Sequence, residues 1–475
     1  MKKRSFFSWA LAPAILALAW PTMLEQFLQT AVQYIDTAMV GSLGTAATAA
    51  VGATTTVNWL IGSTVSALGV GFLAIIAQAH GAGDLQRMRR TAAQSVFMTL
   101  VCGTFFTVLT LSLSPFIPAW MQVDPALRET ASRYFFILYL PMLFRTASIL
   151  FGTVLRAAGE TKAPMRVGLL VNAVNVVLNF FLIYPTRQAS VFGLQMQIPG
   201  AGLGVTGAAI ASAAAFTVGG IGLTVKLFRH EPVSPVGQSI KPDGTILLPC
   251  LKIAFPNALQ RFGTSLGYVF FASMVNALGE TATAAHTLAN TVESAFYVPG
   301  YGMMTAAATL AGRAYGADDK EKILSLARMI ILIETGMMLA SGALLFAFAP
   351  QLLTLFSKDA EVIALGAAVL RMVSVSEPFY GVSIVIEGMM QGMGNTRLPF
   401  VCSISTMWGI RIAGTFLCTV AFGLGLTAAW GCMIAHNLCL FVLFTGFYLH
   451  RRYFFGEKMR DRRKKKGTAF TAPKV

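Results

Sequence analysis

Charge is scarce in this chain. Asp, Glu, Lys and Arg supply 12% of its 475 residues, about half the share of an ordinary soluble domain, which argues against a water-soluble fold. Paired cysteines are lacking too. Cys102, Cys250, Cys402, Cys418, Cys432 and Cys439 show no Cys-x-x-Cys spacing, so they read as small apolar side chains rather than a zinc or redox centre. There is no His-Glu-x-x-His sequence and no Gly-rich phosphate loop with lysine, and His80, His230, His286, His436 and His450 are scattered. These absences speak against an enzyme and against a chain that burns ATP itself. No cofactor and no ATPase subunit are called for.

What the chain does have is apolar length. Hydrophobic residues make up 55% of it, in runs of about 20, the length of one bilayer crossing. Charge and turn residues mark twelve spans near 12–40, 50–78, 91–117, 129–155, 164–185, 203–227, 247–275, 284–310, 325–350, 362–390, 398–422 and 427–449. The first span has the look of a signal peptide, but its apolar run continues without a small-residue cleavage site, so it reads as an uncleaved helix. The fold class is therefore an all-α polytopic membrane protein with twelve transmembrane helices. Pro21, Pro141, Pro256 and Pro378 fall inside spans and read as kinks, because neighbouring helices can satisfy the carbonyls they free.

Lysine and arginine orient the spans. Only Arg128, Arg133, Arg187 and Lys358 fall in loops on one side, and Arg145, Arg261, Arg371 and Arg411 lie within spans. All the others of the 36 basic residues collect on the opposite side with both termini. The positive-inside rule makes that side cytoplasmic and places the protein as multi-pass in the cell (inner) membrane. The tail EKMRDRRKKKG reads as an anchor against anionic membrane lipid rather than a nucleic-acid site.

The chain also repeats itself. LAWPTMLEQF from Leu18 matches IAFPNALQRF from Ile253, placing Pro21 on Pro256 at an offset of 235. The same offset carries AQAHGAGD (from Ala77) onto GRAYGADD and RAAGETKAP (from Arg156) onto QGMGNTRLP. The expected organisation is an N-terminal six-helix lobe (1–228), a cytoplasmic linker (229–246), a C-terminal six-helix lobe (247–450) and a basic cytoplasmic tail (451–475). Two parallel six-span repeats are a common transporter plan, with a central cavity between the lobes. A passive channel is the alternative, although no filter-like segment or short re-entrant loop is evident.

A few polar groups stand out within the spans. Asp36 lies in QFLQTAVQYIDTAMVG, and an ionised carboxylate in hydrocarbon costs several kcal/mol. Gln26, Gln29, Gln33 and Asp36 recur at three- and four-residue spacing, with Glu25 on roughly the same face, and Asn172, Asn175 and Asn179 do the same in span 5. Together they could surround a proton or Na⁺ with oxygens; interhelical hydrogen bonding alone would account for the amides but poorly for a carboxylate. Glu293, Glu377 and Glu387 are candidates for a second-lobe cavity or for ion pairs with Arg261, Arg371 or Arg411, and Glu334 is assigned no role. The 35 phenylalanines and 22 methionines are compatible with an adaptable surface for amphipathic solutes.

Taken together, YIDTAMVGSLG, QAHGAGD, LRAAGETKAP, NVVLNFFLIY, GVTGAAIAS and the second-half echoes AGRAYGADD and MQGMGNTRLP resemble the multidrug and toxic compound extrusion (MATE) family over the whole chain. The resemblance implies a V-shaped pair of lobes that exports cationic amphipathic drugs in exchange for H⁺ or Na⁺, as a monomer. It implies ion coupling at Asp36, the family's span-1 aspartate, with Asn175, Asn179 and Ser212, and a Na⁺ site at Asp36, Asn175 and Asn179. Asn179 stands where some members carry a second aspartate, and Ser212 where a threonine is frequent. The family's second-lobe acids fall near Thr264 and Tyr380, neither of them acidic, so a second site would draw on Glu293, Glu377 or Glu387. A lipid-linked oligosaccharide flippase is a further alternative; four arginines against six acids within the spans favour a cationic cargo.

Overall fold

The computed structural model describes residues 9–121, 123–191, 194–450 and 454–455. Residues 2–4 and nearly all of the basic tail, which carry part of the topology reading, lie outside the described residues. After a 3-10 turn at Trp9–Leu11 come α1 (Ala12–Gly41), α2 (Thr45–Gly81), α3 (Leu85–Leu113), the single turn α4 (Ile117–Trp120), α5 (Arg128–Tyr139), α6 (Met142–Ala157), α7 (Lys162–Leu182) and α8 (Gly204–Arg229). Then follow α9 (Gly244–Asn276), α10 (Glu280–Gly316), α11 (Lys320–Thr354), α12 (Ala360–Ser374), α13 (Glu377–Gly392) and α14 (Arg397–Thr406). A three-residue α15 (Ala413–Thr415) sits between π-helical stretches at Met407–Ile412 and Phe416–Ala421, and α16 (Leu426–Leu449) closes the series.

Among the described residues, eight helices are long and apolar enough to cross a bilayer, and ten if each of two bent pairs counts as one span. α9 and α10 are as long, at 33 and 37 residues, but carry more polar groups, among them Gln260, Arg261, His286 and Glu293.

The prolines behave in two ways. Pro21 and Pro256 lie within continuous helices. Pro141 and Pro378 instead accompany breaks, with α5/α6 bent by 49° and α12/α13 by 53°. A proline lacks an amide donor and disfavours helix in the residue before it, so Pro141 precedes α6 and Pro378 occupies the first turn of α13. Between α7 and α8 the chain forms an antiparallel hairpin, β1 (Pro185–Val191) with β2 (Leu194–Ala201), where the sequence reading had no strand. Alternation in LQMQI from Leu194 is the signal of a half-solvated strand.

The offset of 235 recurs in the structure. α2 and α10 both run 37 residues with starts and ends at that spacing, and the two bends fall at equivalent positions. Gly44 and Gly279, with φ of 109° and 106°, precede α2 and α10, a conformation that needs glycine. Asp84 caps Arg87 N–H as Asp319 caps Lys322 N–H, both at 2.9 Å.

The described residues pack as two compact units, one from Trp20–Leu251 and one combining parts of Met1–Ala19 and Lys252–Val475. In the first, α8 is rich in small residues, so close that a Cβ at Gly207 or Gly220 would strike the backbone of Leu182 or Phe144. The stretch after α8 is held against α3 of the same unit: Gln94 Nε2 donates to Lys241 O at 2.8 Å, its Oε1 accepts from Asp243 N–H at 3.0 Å, and Arg90 pairs with Asp243. The Thr245 hydroxyl and amide, followed by Arg90, hold the Asp243 carboxyl below its usual range. The second unit buries Phe271, Val275, Leu345, Val369, Leu370 and Trp430 together.

Candidate functional site

Three helices of the first unit bring the leading candidates together. Asn175 and Asn179, one helical turn apart on α7, are buried at 6% and 1% exposure. Asp36 on α1 accepts from Asn179 Nδ2 at 2.6 Å, and Ser212 on α8 lies 3.1 Å from the Asn175 amide. The small residues of α8 allow the close approach that places Ser212 there. Helical periodicity thus predicts the two asparagines' shared face, and packing supplies Asp36 and Ser212.

The Asn175 amide fits this space with its nitrogen inward. The nitrogen then lies 2.7 and 3.0 Å from the two Asp36 oxygens and donates to an ionised carboxylate, while the amide carbonyl accepts from Ser212. Asn179 Oδ1 is buried without a donor, an oxygen that a proton-bearing group or a cation would satisfy. The donor set suits a proton or a hard monovalent cation, for which oxygen ligands are the natural partners.

Other candidates sit elsewhere. Glu25 is not part of this cluster: both its oxygens accept from Arg156 Nη1 at 3.2 Å, in a largely buried pair. Gln33 is exposed. In the second unit Glu387 accepts from Gln260 and Gln391, each at 2.9 Å, and Gln260 also donates to Ser403. Tyr380 and Tyr301 share a hydroxyl contact of 2.9 Å, with the Tyr297 ring against Tyr380. Glu293 and Glu377 are buried at 6% and 1%, and Glu377 Oε2 has no hydrogen-bond partner. None of these three acids forms an ion pair with Arg261, Arg371 or Arg411 among the described residues. Sequence reasoning missed Glu334: it is fully buried on α11 with neither carboxyl oxygen hydrogen-bonded. Its carboxyl fits beside Gly300 and Gly381, where a Cβ would come within 2.8 and 3.1 Å of Oε1. Those glycines, far apart in sequence, give no linear signal. Among the described residues no group of three or more His, Cys, Asp or Glu could hold a metal.

A polytopic helical bundle, repeated within one chain and holding an acid–amide cluster between helices, is an arrangement suited to a membrane transporter. The MatE family profile matches residues 21–181 and 256–417, and the chain belongs to that family. It is 28% identical over 421 residues to a probable multidrug resistance protein NorM of Thermotoga maritima, covering 89% of this chain and 88% of that one. It is 25% identical to the probable multidrug resistance protein YoeA of Bacillus subtilis, with 90% and 91% coverage. Among solved structures, it resembles an outward-facing multidrug resistance MATE transporter at a TM-score of 0.84 and 25% identity, over 94% of this chain and 96% of that one. A MOP-superfamily transporter from Pyrococcus furiosus, described as having a binding pocket of reversed polarity, aligns at 0.83 and 25% identity, over 92% and 95%.

Proposed function

We propose that this protein is a secondary active exporter of amphipathic, cationic organic compounds, driven by inward H⁺ or Na⁺ and acting as a monomer. The observation that carries the reading is the Asp36–Asn175–Asn179–Ser212 cluster, whose surplus of oxygens suits a proton or cation, in a member of the MatE family. The multidrug resistance names of its relatives support the cargo class. Twelve spans in two six-helix lobes, with both termini cytoplasmic, follow if α9 and α10 join the ten apolar crossings. Glu293, Glu377, Tyr380 and Glu387 are the proposed second-lobe groups.

With Asp36 ionised, the Asn175 and Asn179 amides donate to its carboxylate. Loading from outside puts a proton on the carboxylate, or Na⁺ against it. The loaded state favours drug release, and reopening to the cytoplasm lets the ion leave and drug bind. Coupling requires only that ion and drug prefer different conformations, and it is reciprocal.

Asp36→Asn keeps size and hydrogen bonding but cannot take up a proton or hold Na⁺ as an anion does. In proteoliposomes with matched protein amounts, the variant should insert and fold yet lose gradient-driven export by at least about tenfold, within the range of typical coupling energies. Normal export with unchanged ion dependence would make Asp36 structural. Flux independent of both gradients would favour a channel, and uptake of polyprenyl-pyrophosphate sugars without cationic dyes would favour a flippase.

A further inference from the structure

The repeat relates each side chain of the Asp36 cluster to a position in the other unit. At an offset of 235, Gln33 and Asp36 on α1 correspond to Tyr268 and Phe271 on α9, and Asn175 on α7 corresponds to Ile410. Residue 410 lies in the π-helical stretch Met407–Ile412. A π-turn takes in one residue more than an α-turn, and it is Arg411, one position beyond Ile410, that faces Tyr268 and Phe271 on α9. Its guanidinium lies over the rings of Phe271 at 4.4 Å and Tyr268 at 4.8 Å. The contact between Asn175 and Asp36 thus has a counterpart in which both partners have changed, and the charge has changed sign.

Arg411 is unusual in its own right. It is 5% exposed, and among the described residues it makes no hydrogen bond or ion pair; its Nε is sealed without an acceptor. Two aromatic faces attract the cation but accept none of its five N–H groups in the forked geometry that matches a carboxylate. The neighbouring groups leave that role open. His286 Nδ1 already accepts from Trp430 Nε1 at 3.2 Å, and Glu293, buried in the same unit, forms no ion pair with Arg411 among the described residues. Tyr268 is 44% exposed, so the guanidinium lies one ring beneath an exposed face of its unit.

We propose that Arg411, held between Tyr268 and Phe271, binds the carboxylate of zwitterionic amphipathic substrates. Such a molecule carries its positive group as other cargo does, and its carboxylate would complete the guanidinium's hydrogen bonding while an aromatic body packs on the neighbouring rings. Cations lacking a carboxylate would make no use of this site. The inference rests on the transport reading, since it adds an anionic substrate group to that cargo class.

A matched pair of dyes tests it: rhodamine 110, with a free carboxylate, and rhodamine 123, its methyl ester. Dissociation constants are measured by fluorescence anisotropy on the purified full chain in detergent, without an ion gradient, so a failure of ion coupling cannot obscure the result. The wild type should prefer rhodamine 110. Arg411→Gln should lower the ratio of the two affinities roughly tenfold, equivalent to about 1.4 kcal/mol, and Arg411→Lys should keep part of the preference. Size-exclusion profiles establish that each variant is folded. Equal wild-type affinity for both dyes would overturn the inference while leaving the transport reading intact, and binding of neither dye would count against both. An unchanged ratio in folded Arg411→Gln would assign the preference elsewhere and overturn the proposal. A preference present in detergent but lost in phosphatidylglycerol nanodiscs would assign the site to lipid phosphate and overturn the substrate assignment.

Discussion

At the scale of single residues, the repeat keeps places and exchanges chemistry. Glu25, Gly152, Arg156 and Gly168 correspond at the 235-residue offset to Gln260, Glu387, Gln391 and Ser403. One unit fills the site with an ion pair whose side chains are 18% and 13% exposed. The other fills it with an acid bridged by two amides. Removing one partner from a mostly buried ion pair strands the other charge. Glu25→Gln or Arg156→Gln should therefore each destabilise the protein by about 2–4 kcal/mol. The double variant recreates the Gln–Gln pair and strands nothing, so its loss should fall short of the sum by about 1–3 kcal/mol. Unfolding midpoints in a denaturing detergent series measure both, and strict additivity would show the pair to be uncoupled. The same positions show how far sequence reaches. Asn175 and Asn179 are legible as one face because helical spacing is local information. Glu25 shares its helix with Asp36 yet answers to Arg156, a choice made by packing between elements distant in sequence. Glu334 gives no signal beyond its charge, because the glycines that accommodate it lie on other helices.

Between elements, the units solve one crossing in opposite ways. Gly69 on α2 faces Thr153 on α6, whose side-chain atoms are the nearest to a Cβ placed there, at 3.2–3.5 Å. At the equivalent crossing of α10 and α13 the large residue changes sides: Met304 packs against Gly388. One small and one larger side chain suffice, and which helix carries the glycine is free. Gly69→Met alone should overpack the α2/α6 crossing and cost about 1–3 kcal/mol. Adding Thr153→Gly recreates the arrangement of the second unit and should recover at least half of that loss. No recovery in thermal unfolding would mean that the helix spacing, and not the residue pair, sets what fits. Helix boundaries were readable from charge and apolar length, and the bends at Pro141 and Pro378 were readable as positions. Their severity was not, because proline is accommodated in one helix and breaks another according to whether neighbouring groups satisfy the freed carbonyls.

For the whole molecule, the decisive quantity is the parity of spans between equivalent points. If each repeat holds six spans, the chain returns to the same side of the membrane and every equivalent pair of loops shares a side; an odd number would oppose them. Two pairs of loops are matched closely enough to test this. Asp124 accepts from Ala126 N–H at 2.8 Å before the helical turn at Pro125–Leu127, and Asp359 accepts from Glu361 N–H at 2.9 Å before α12. On the other side of one intervening crossing, Asp84 and Asp319 cap α3 and α11. Arg87, Arg89, Arg90, Lys320 and Lys322 gather beside those caps, whereas Arg128 and Lys358 lie near the first pair. The positive-inside rule then predicts cytoplasmic Asp84 and Asp319 loops and external Asp124 and Asp359 loops. Single cysteines placed at 126 and 361 in a background lacking the native six should react with a membrane-impermeant maleimide in intact cells. Cysteines at 86 and 321 should react only after the membrane is opened. If 126 and 361 label on opposite sides, the number of spans between the repeats is odd, and α9 or α10 does not cross. If all four reverse together, the count holds and the orientation is inverted.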